Sequence, residues 1–475
     1  MKTELAIIGA GPAGLAAAVA AADFGIEVTL IDEQARAGGQ IYRQPPASFD
    51  VPNWLSDRVY RSGKALLAEA AERSAIQWLM GTSVLGVLPP ADPRSRGQTL
   101  ALHQGAGLAE IEAEQLLLAP GCFDMPVMFP GWTLPGVMAT GGIQVAVKSQ
   151  QLIPGERFVL AGTHPLQLIV ADQLTRAGAE VAEVIFPQRL VRLLKVLEQP
   201  VTVLRHAGKF LFSAAALSRL RAAGVPVRFG EVVVRAGGDG VLERVEVAAL
   251  QRNGTINRTD TREIRCDRLG VCFSFLVSSE LARQRGARCV WSPSAGGWIA
   301  RHNEWMRSSV EDMFVAGEIT GVAGAEVAAE EGRLAAIGIA LARQRIDARQ
   351  AAVAARPVRR RLGQLGKFAA LLRDVAYPGS ELLAQLASDD SLLCKCEEVT
   401  VSSFRKALAE NPHVVTANAA KLLTRVGMGY CQGRYCGYAA TLEMARERAV
   451  PAASVGPFTA RFPAKPVRIK DLLKG

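Results

Sequence analysis

The chain has 475 residues, and at roughly 150 residues per domain this predicts about three folding units, each large enough for its own core. Hydrophobic residues make up 49% and charged residues 21% of the chain, which excludes an intrinsically disordered protein. The formal net charge is +10, a basic excess that suits nucleic acid, an anionic membrane or an acidic protein partner without choosing among them.

The number of cysteines and the apolar segments indicate in which cellular compartment the protein is found. Eight cysteines are too few for a secreted disulfide scaffold, and four of them lie in the last fifth of the chain, which points to a local metal site. The uncharged run 5–22 is interrupted by three glycines and Pro12, so it predicts a strand, a turn and a helix, and not a signal or transmembrane segment. We therefore expect a cytoplasmic protein, with peripheral contact to the inner face of the membrane left open.

Residues 4–33 have the pattern of a βαβ unit with glycines at its first turn. The first glycine permits a tight turn, the second lets backbone approach a pyrophosphate, and the third lets the helix pack closely on the strand. The second strand ends at Asp32 and Glu33, where a carboxylate takes the ribose hydroxyls; Asp32 is the first choice. An acid there disfavours NADP and leaves FAD and NAD open. The predicted cofactor contacts of this unit are Gly9, Gly11, Pro12, Ala13, Gly14, Asp32 and Glu33.

Two later segments favour FAD. Residues 310–324 resemble the late strand-and-turn motif of two-dinucleotide-domain flavoproteins, in which a closing Gly-Asp binds the ribityl chain of FAD. Gly317 and Glu318 stand at that place, so the resemblance implies that they contact the flavin, with an acid one methylene longer. Residues 116–121 resemble the same family's Ala-Thr-Gly crossing between domains, with Pro120 replacing the threonine and Gly121 as the predicted contact. Each segment alone also fits a buried strand followed by a turn.

The chain has no cysteine before Cys122, whereas flavoprotein disulfide reductases carry a redox cysteine pair shortly after the first βαβ unit. Residues 38–43 stand in place of such a pair. Gly39 and Gln40 of that stretch are predicted to approach the flavin or its phosphates, but they cannot perform thiol exchange. Disulfide reduction is therefore excluded.

A second Rossmann-like unit is predicted to begin at Arg157, with a helix through Ala177 and a strand from Glu180. His164 stands at the place of the second glycine of the fingerprint, where a side chain would crowd a pyrophosphate, and Leu166 or Gln167 at the place of the third. This unit is thus predicted to keep the fold while its NAD(P)H binding has decayed, leaving a scaffold or an interface.

Four cysteines near the C-terminus form a Cys-x-Cys pair and a Cys-x4-Cys pair separated by 34 residues. Four thiolates are the ligand set of a [2Fe-2S] cluster or of a structural zinc, and the Cys-x-Cys spacing is awkward for zinc, so the cluster is favoured while zinc and free cysteines stay as alternatives. The predicted metal ligands are Cys394, Cys396, Cys431 and Cys436.

Residues around these cysteines support the same interpretation. Glycines near the second pair free backbone amides to donate to cluster sulfurs, and four cations can offset the thiolate charge: Lys395, Lys421, Arg425 and Arg434. The segment resembles the bacterioferritin-associated-ferredoxin-like [2Fe-2S] domain, including Thr-Arg-x-Gly-Met-Gly at 424–429. The other four cysteines are predicted to be small core residues: Cys122, Cys266, Cys272 and Cys289.

The predicted fold class is α/β, a two-dinucleotide-binding-domain flavoprotein with a small helical [2Fe-2S] domain. The basic stretch 342–374 predicts helix, linker and basic helix; because no aromatics are interleaved for stacking, a nucleic-acid partner is not expected. The C-terminal tail is expected to need a partner surface. The predicted divisions are 1–120 with 255–345 (FAD), 125–250 (degenerate NAD-type), 346–390 (basic helical linker), 391–445 (cluster domain) and 446–475 (tail).

This order of domains closely resembles the large (α-type) subunits of heteromeric FAD-dependent amino-acid and opine dehydrogenases, a family that includes opine oxidases, hydrogen cyanide synthases and hydroxyproline or proline dehydrogenases. Further matching segments are Pro-Gly-Trp-Thr-Leu-Pro-Gly-Val-Met at 130–138, Gly-Gly-Trp at 296–298 and Glu-Gly-Arg-Leu-Ala at 331–335. Departures fall at Pro120, His164, Leu166, Cys272 and Glu318.

The resemblance implies that a separate FAD-containing β subunit oxidises the C–N bond of an amino acid, imino acid or opine, and that this chain relays the electrons. It also implies room for an FMN at the interface with the partner and for a small iron-sulfur γ subunit. Two alternatives stay open: a self-contained NAD(P)H-dependent reductase, and a non-catalytic scaffold with a structural nucleotide. The five histidines are scattered without an acid or nucleophile partner, so no catalytic acid or base is named.

Overall fold

A computed structural model describes residues 1–43, 45–46, 48–51, 58–90, 96–105, 107–189 and 198–472. Residues 190–197 of the predicted second unit and the last three residues of the predicted tail lie outside them. The strands are β1 (Lys2–Ile8), β2 (Val28–Asp32), β3 (Ile76–Met80), β4 (Thr82–Leu88), β5 (Gln98–Gln104), β6 (Gly107–Leu118), β7 (Cys122–Asp124), β8 (Val137–Ala139), β9 (Arg157–Ala161), β10 (Glu180–Phe186), β11 (Val227–Phe229), β12 (Glu231–Gly237), β13 (Arg244–Leu250), β14 (Ile256–Arg265), β15 (Arg268–Val271), β16 (Phe275–Val277), β17 (Cys289–Ser292), β18 (Gly297–Ala300), β19 (Met313–Val315), β20 (Leu392–Cys394) and β21 (Val399–Thr400).

The α-helices of the described part follow the same chain order. They are α1 (Pro12–Asp23), α2 (Gly39–Tyr42), α3 (Arg58–Ala71), α4 (Thr140–Ser149), α5 (Leu166–Arg176), α6 (Pro200–Arg205), α7 (Ala207–Ala222), α8 (Glu280–Gln284), α9 (Ala325–Ala342), α10 (Ala348–Ala376), α11 (Ser380–Leu386), α12 (Val401–Glu410), α13 (Ala417–Thr424), α14 (Gly437–Glu447), α15 (Ala452–Val455) and α16 (Ile469–Leu472). None of these helices is both long and apolar enough to cross a membrane.

The first unit is built on a sheet in the order β3-β2-β1-β6-β5-β4, with β19 beside β6. β1 pairs in parallel with β2 and β6, whereas β4, β5 and β6 form an antiparallel meander. The parallel strands are covered on both faces, so β1 and β2 are buried along most of their length, with apolar runs at residues 5–8 and 30–31. Their carboxyl ends meet at one edge, the edge at which open α/β sheets bind ligands.

Helix α1 forms because Pro12 presets the backbone at its first turn and a run of alanines follows. It ends before Gly25, whose φ of +69° suits a helix C-terminus. Helix α9 crosses α1 closely: a Cβ at Gly332 would lie 2.1 Å from the carbonyl oxygen of Ala13. This crossing fixes the start of α1 and therefore the glycine turn before it.

The second unit has a parallel sheet in the order β11-β10-β9-β15-β8, flanked by an antiparallel sheet of β12, β13 and β14. The strand, helix and strand predicted from Arg157 onward are β9, α5 and β10, and are confirmed. Glu183, buried on β10, accepts hydrogen bonds from Arg228 at 3.2 Å and from Arg262 on β14 at 2.7 Å. The pair with Arg262 joins the two sheets, and the pair with Arg228 of β11 lies within the parallel sheet.

The basic stretch after α9 follows the predicted order of helix, linker and basic helix, with residues 343–347 as the connection between α9 and α10. The basic helix α10 is continuous over 29 residues and contains Pro357. A capping box between Asp347 and Gln350 starts this helix, and Arg361 pairs with Glu330 of α9 at 3.0 Å. Tertiary contacts therefore offset the hydrogen bond that the proline removes.

The C-terminal unit packs helices α12, α13 and α14 around a core that includes Phe404, Leu408 and Met444. The chain then returns to the first unit. The backbone amide of Ala464 donates to the carbonyl of Leu85 on β4, at 2.6 Å. We expected the tail to need a partner surface. Over the described residues, the first unit of the same chain provides that surface.

Candidate functional site: the nucleotide turn and the cysteine loop

The turn after β1 requires glycine at two positions. Gly9 has a φ of +103°, and a Cβ there would lie 2.2 Å from the carbonyl oxygen of Ala119. A Cβ at Gly14 would lie 1.8 Å from the carbonyl oxygen of Gly9. The turn consequently carries no side chain at these points, and the amides of the first turn of α1 face outward at the positive end of the helix. This geometry fits the pyrophosphate of a dinucleotide.

Asp32 lies where the ends of β1 and β2 meet. Its Oδ2 accepts a hydrogen bond from the amide of Ala10 at 2.7 Å, and its Oδ1 accepts one from the amide of Gln34 at 2.8 Å. Each carboxylate oxygen can accept a second bond, so Asp32 keeps acceptor capacity for ribose hydroxyls. Glu33 behaves differently, because its carboxylate forms an ion pair with Lys465 from the tail. The geometry supports Asp32 as the ribose acceptor.

The loop that replaces a redox cysteine pair lies against the glycine turn. The amide of Gly38 donates to the carbonyl of Ala10 at 2.8 Å, and a Cβ at Gly39 would lie 2.9 Å from the Cα of Gly11. Gly39 is therefore in position to approach a bound pyrophosphate. Gln40 follows on α2 with an exposed side chain.

The turn that follows β19, within the motif at 310–324, places Gly317 beside the first nucleotide turn. Gly317 has a φ of +79°, and a Cβ there would lie 2.9 Å from the Cβ of Ala13. Glu318 is 3.0 Å from the amide of Ala323 and 2.8 Å from that of Gly324, and accepts hydrogen bonds from both, so its carboxylate lies at the N-terminus of α9. The Glu318 carboxylate is thus already engaged by backbone, whereas Gly317 lies at the nucleotide turn. Gly121, at a φ of +78°, has open space around the position of a Cβ.

A second carboxylate, that of Glu331 on α9, is partly buried beside this turn, and sequence reasoning did not identify it as a titratable group. Its Oε2 accepts from the Gly317 amide at 2.8 Å and from Thr320 Oγ1 at 2.9 Å. Burial raises the pKa of Glu331 to about 7, and the neighbouring Glu318 carboxylate adds to the rise while the two hydrogen bonds oppose it. Burial also raises the pKa of Glu318. In the sequence, Glu331 belongs to the Glu-Gly-Arg segment, and nothing in that segment predicts that the carboxylate is shielded from water.

This shift predicts a stability change with pH. Because the folded pKa of Glu331 lies above its unfolded value of 4.5, the folded state holds the proton more tightly, and stability falls as pH rises from about 4.5 to about 7. The shift corresponds to about 3 kcal/mol as an order of magnitude. We expect Glu331→Gln, which keeps an oxygen for both hydrogen bonds, to remove much of this loss. Urea unfolding at pH 5 and pH 8 measures it; a wild-type-like pH slope in the variant would contradict the assignment.

The corresponding turn of the second unit is filled by side chains. Gln167 Nε2 donates to the carbonyl of Gly162 at 2.7 Å and to that of Ile185 at 3.3 Å. Desolvation of the His164 ring by the surrounding protein lowers its pKa to about 4 and keeps the ring neutral. Gln188 Nε2 donates to the carbonyl of Val375 of α10 at 3.1 Å. Such a turn supports the predicted loss of pyrophosphate binding.

The four predicted cysteine ligands meet as two pairs of hydrogen-bonded thiols. Cys394 ends β20 and pairs with Cys436, which precedes α14, whereas Cys396 pairs with Cys431. All four are free thiols. Across the described ranges, no three His, Cys, Asp or Glu side chains form a group that could hold a metal ion. The donor chemistry of a four-cysteine site is present in pairs, and the metal stays a prediction.

The surroundings of Cys394 favour its thiolate. Hydrogen bonding with Cys436 lowers the pKa of Cys394 to about 6, burial opposes this, and backbone amides including that of Gly427 add to the lowering. The thiolate is the form that ligates metals and clusters. Gly429 is packed tightly here, because a Cβ would lie 2.3 Å from the Cβ of Cys396. These contacts fit a cluster whose sulfur ligands accept backbone hydrogen bonds.

The cations predicted to offset the thiolate charge do not act alike. Lys421 lies within electrostatic reach of the Cys-x4-Cys pair. Arg425 instead pairs with Glu397 at 2.8 Å, and Arg434 pairs with Glu280 at 3.7 Å. The two arginines are therefore already paired with carboxylates, and Lys421 is better placed than either of them to balance the charge of the sulfurs.

Aromatic side chains pack where the cysteine unit meets the rest of the chain. The ring of Tyr438 on α14 lies 5.0 Å from that of Trp291, which lies 5.5 Å from that of Trp298. Tyr435 faces Phe123 of β7, with ring centroids 6.2 Å apart. Four of these rings line a cavity of about 70 Å³, and Tyr435 lies outside it. The cysteine unit is thus joined to the nucleotide-binding part by packed rings.

A glycine-built first nucleotide turn, a Rossmann-like second unit and the lack of cysteines before Cys122 define a two-dinucleotide-domain flavoprotein without a redox disulfide. The chain belongs to the pyridine nucleotide-disulphide oxidoreductase family, which matches residues 3–350. It is accordingly a flavoprotein oxidoreductase. The predicted α/β fold of a two-dinucleotide-binding-domain flavoprotein is confirmed, the iron-sulfur character of the C-terminal unit stays a prediction, and the family supports FAD as the cofactor.

The similarity extends along the whole chain. It is 33% identical over 470 residues to hydrogen cyanide synthase subunit HcnB of Pseudomonas aeruginosa, covering 98% of this chain and 97% of that protein. It is 32% identical over 471 residues to the HcnB protein of Pseudomonas protegens, covering 98% and 97%. An opine oxidase chain of Rhizobium meliloti is 31% identical over 480 residues, covering 99% of this chain and 87% of that one.

A solved structure has the same fold over the same length. The crystal structure of L-proline dehydrogenase from P. horikoshii superposes with a TM-score of 0.70 at 19% identity, covering 99% of this chain and 79% of that one. The shared fold therefore includes the C-terminal unit as well as the two nucleotide-binding units.

Proposed function

We propose that this chain is the electron-relaying subunit of a heteromeric dehydrogenase. A partner subunit with its own FAD would oxidise the C–N bond of an amino acid, imino acid or opine, and this chain would carry the electrons to an acceptor or the respiratory chain. The names of its relatives, subunits of opine oxidase and hydrogen cyanide synthase, support such an assembly.

The segment that carries Cys431 and Cys436 is here called the cysteine loop. The observation that carries the proposal is the packing of this loop and the start of α14 against the nucleotide-binding part, through Tyr438 with Trp291 and through Tyr435 with Phe123. When bound, the flavin supplies two-electron chemistry and a [2Fe-2S] cluster supplies one-electron transfer. The residues of this chain would hold the two groups close together, with Cys394, Cys396, Cys431 and Cys436 as the cluster ligands and the glycine turn with Asp32 as the dinucleotide site.

In this proposal the second Rossmann-like unit does not bind NADH. Because Gln167 donates to the carbonyl of Gly162 and Gln188 donates to that of Thr163, the turn that would take a pyrophosphate is occupied, and we do not expect NADH to be the donor. The partner subunit would supply the electrons instead. An FMN at the interface, a small iron-sulfur γ subunit, and contact with the inner face of the membrane belong to the same proposal.

The test is a visible spectrum with iron and flavin analysis of the anaerobically purified chain, before and after NADH and then dithionite. We expect flavin and about two irons per chain, bleached by dithionite and not by NADH. Rapid bleaching by NADH would instead make this chain a self-contained reductase. A chain that releases a colourless adenine nucleotide and no flavin would favour the scaffold alternative.

A further inference from the structure

The last described part of the chain, residues 458–472, here called the strap, runs from the cysteine loop to the first nucleotide site. Its first residue, Phe458, is buried under that loop: a Cβ at Gly433 would lie 2.4 Å from the Phe458 ring, and one at Gly427 would lie 2.7 Å from it. The carbonyl of Phe458 accepts a hydrogen bond from Arg283 Nη1 at 2.6 Å. The start of the strap is therefore fixed to the cysteine unit.

The middle of the strap lies along β4, at the edge of the first sheet. The ring of Phe462 occupies the space beside Gly86, where a Cβ would lie 2.6 Å from it. The amide of Ala464 donates to the carbonyl of Leu85. Between these contacts, the carbonyl of Pro463 accepts from Gln432 Nε2 of the cysteine loop at 2.7 Å.

Lys465 follows directly and reaches the acids at the end of β2. Its ammonium pairs with the carboxylate of Glu33 and lies within electrostatic reach of Asp32. The side chain of Lys465 is 29% exposed and that of Glu33 is 44% exposed, so the pair is partly shielded from water. In a Rossmann-type site this position borders the ribose.

The far end of the strap is also fixed. Asp471 is fully buried; it accepts a hydrogen bond from Arg468 Nε at 2.7 Å and lies 3.1 Å from His103 Nε2 of β5. The backbone on both sides of Lys465 is thus held by other contacts, so forming its ion pair costs mainly the conformational entropy of its own side chain.

We propose that the strap closes the ribose end of the first nucleotide site and that Lys465 is a nucleotide-retaining residue. The proposal rests on a dinucleotide occupying that site, as stated above for FAD. The Lys465–Glu33 pair keeps Glu33 away from the ribose, leaves Asp32 as its acceptor, and has to open before the adenosine half can leave.

The test uses the full-length chain as purified with its flavin. FAD dissociation is followed by the rise in flavin fluorescence after dilution, for the wild type, for Lys465→Ala and for the control Lys470→Ala, which changes an exposed lysine of the same strap. We expect Lys465→Ala to release FAD about fivefold faster at low salt, a size typical of a partly exposed ion pair, with a smaller effect at high salt. Lys470→Ala is expected to match the wild type.

Glu33→Gln separates the ion pair from a general loss of structure. It should accelerate release like Lys465→Ala, and the double variant should be no faster than either single one. An unchanged rate in Lys465→Ala, or equal acceleration by Lys470→Ala, would overturn the proposal. If the purified chain holds no flavin, the cofactor assignment fails and ADP becomes the probe: weaker ADP binding in Lys465→Ala by equilibrium dialysis supports the strap, and unchanged binding refutes it.

Discussion

Replacing Gly14 by alanine is expected to remove the bound nucleotide and to lower the free energy of unfolding by about 3 kcal/mol, the upper part of the range for overpacking. The added Cβ would lie 1.8 Å from the carbonyl oxygen of Gly9 and 3.3 Å from Cγ2 of Ile7. The first contact is with backbone, which cannot swing aside as a side chain can. The start of α1 would have to move off β1, and its first amides would leave the phosphate position.

The matched control is Gly363→Ala on α10, where a Cβ meets nothing within 4 Å. This exposed helical glycine should gain up to about 1 kcal/mol on substitution, because alanine has the higher helix propensity. Flavin content after gel filtration and urea unfolding measure both variants. A Gly14→Ala chain that keeps its flavin and its wild-type midpoint would show that the turn does not form the cofactor site.

The nucleotide turn could be predicted from the sequence because its determinants are local. Gly9, Gly11 and Gly14 lie within six residues, and Asp32 follows at the end of the next strand, so spacing alone specifies their meeting. The structure places all of them at one edge of the first sheet. Likewise, the departure at His164 pointed to a closed second turn without any structural information.

Long-range contacts could not be predicted in this way. The Lys465–Glu33 pair joins residues 432 positions apart, and nothing in either local sequence marks the other as its partner. The elevated pKa of Glu331 arises from burial between α9 and the late turn, which a motif does not encode. The continuity of α10 through Pro357 depends on contacts with α9, whereas the local signal was a proline in a charged stretch.

The arrangement of the four cysteines could be predicted from the sequence only in part. The Cys-x-Cys and Cys-x4-Cys spacing identified four ligand candidates, and the fold does bring both pairs together. The spacing did not show that each pair would form across the two motifs, Cys394 with Cys436 and Cys396 with Cys431. That arrangement depends on the position of α14 relative to the β20–β21 hairpin, which the helices of the C-terminal unit determine.

Replacing Cys431 by serine is expected to abolish the visible absorbance and the iron of the proposed cluster while leaving the flavin in place. A neutral serine hydroxyl is a poor substitute for a thiolate, and loss of one of four ligands opens the cluster to solvent. The nucleotide turn is formed by other residues, so its occupancy should not change. Iron and flavin are quantified on anaerobically purified protein, and the spectrum is recorded before and after dithionite.

Cys289→Ser is the matched control, because Cys289 is a partly buried free thiol on β17, outside the cysteine loop, and burial raises its pKa to about 11. It should retain about two irons per chain, as the wild type is expected to do. Equal iron in Cys431→Ser and in the wild type would refute the ligand assignment. Loss of iron together with flavin in Cys431→Ser alone would contradict the expected independence of the nucleotide site, and would indicate that the two sites are stabilised jointly through the contacts of the strap between Phe458 and Lys465.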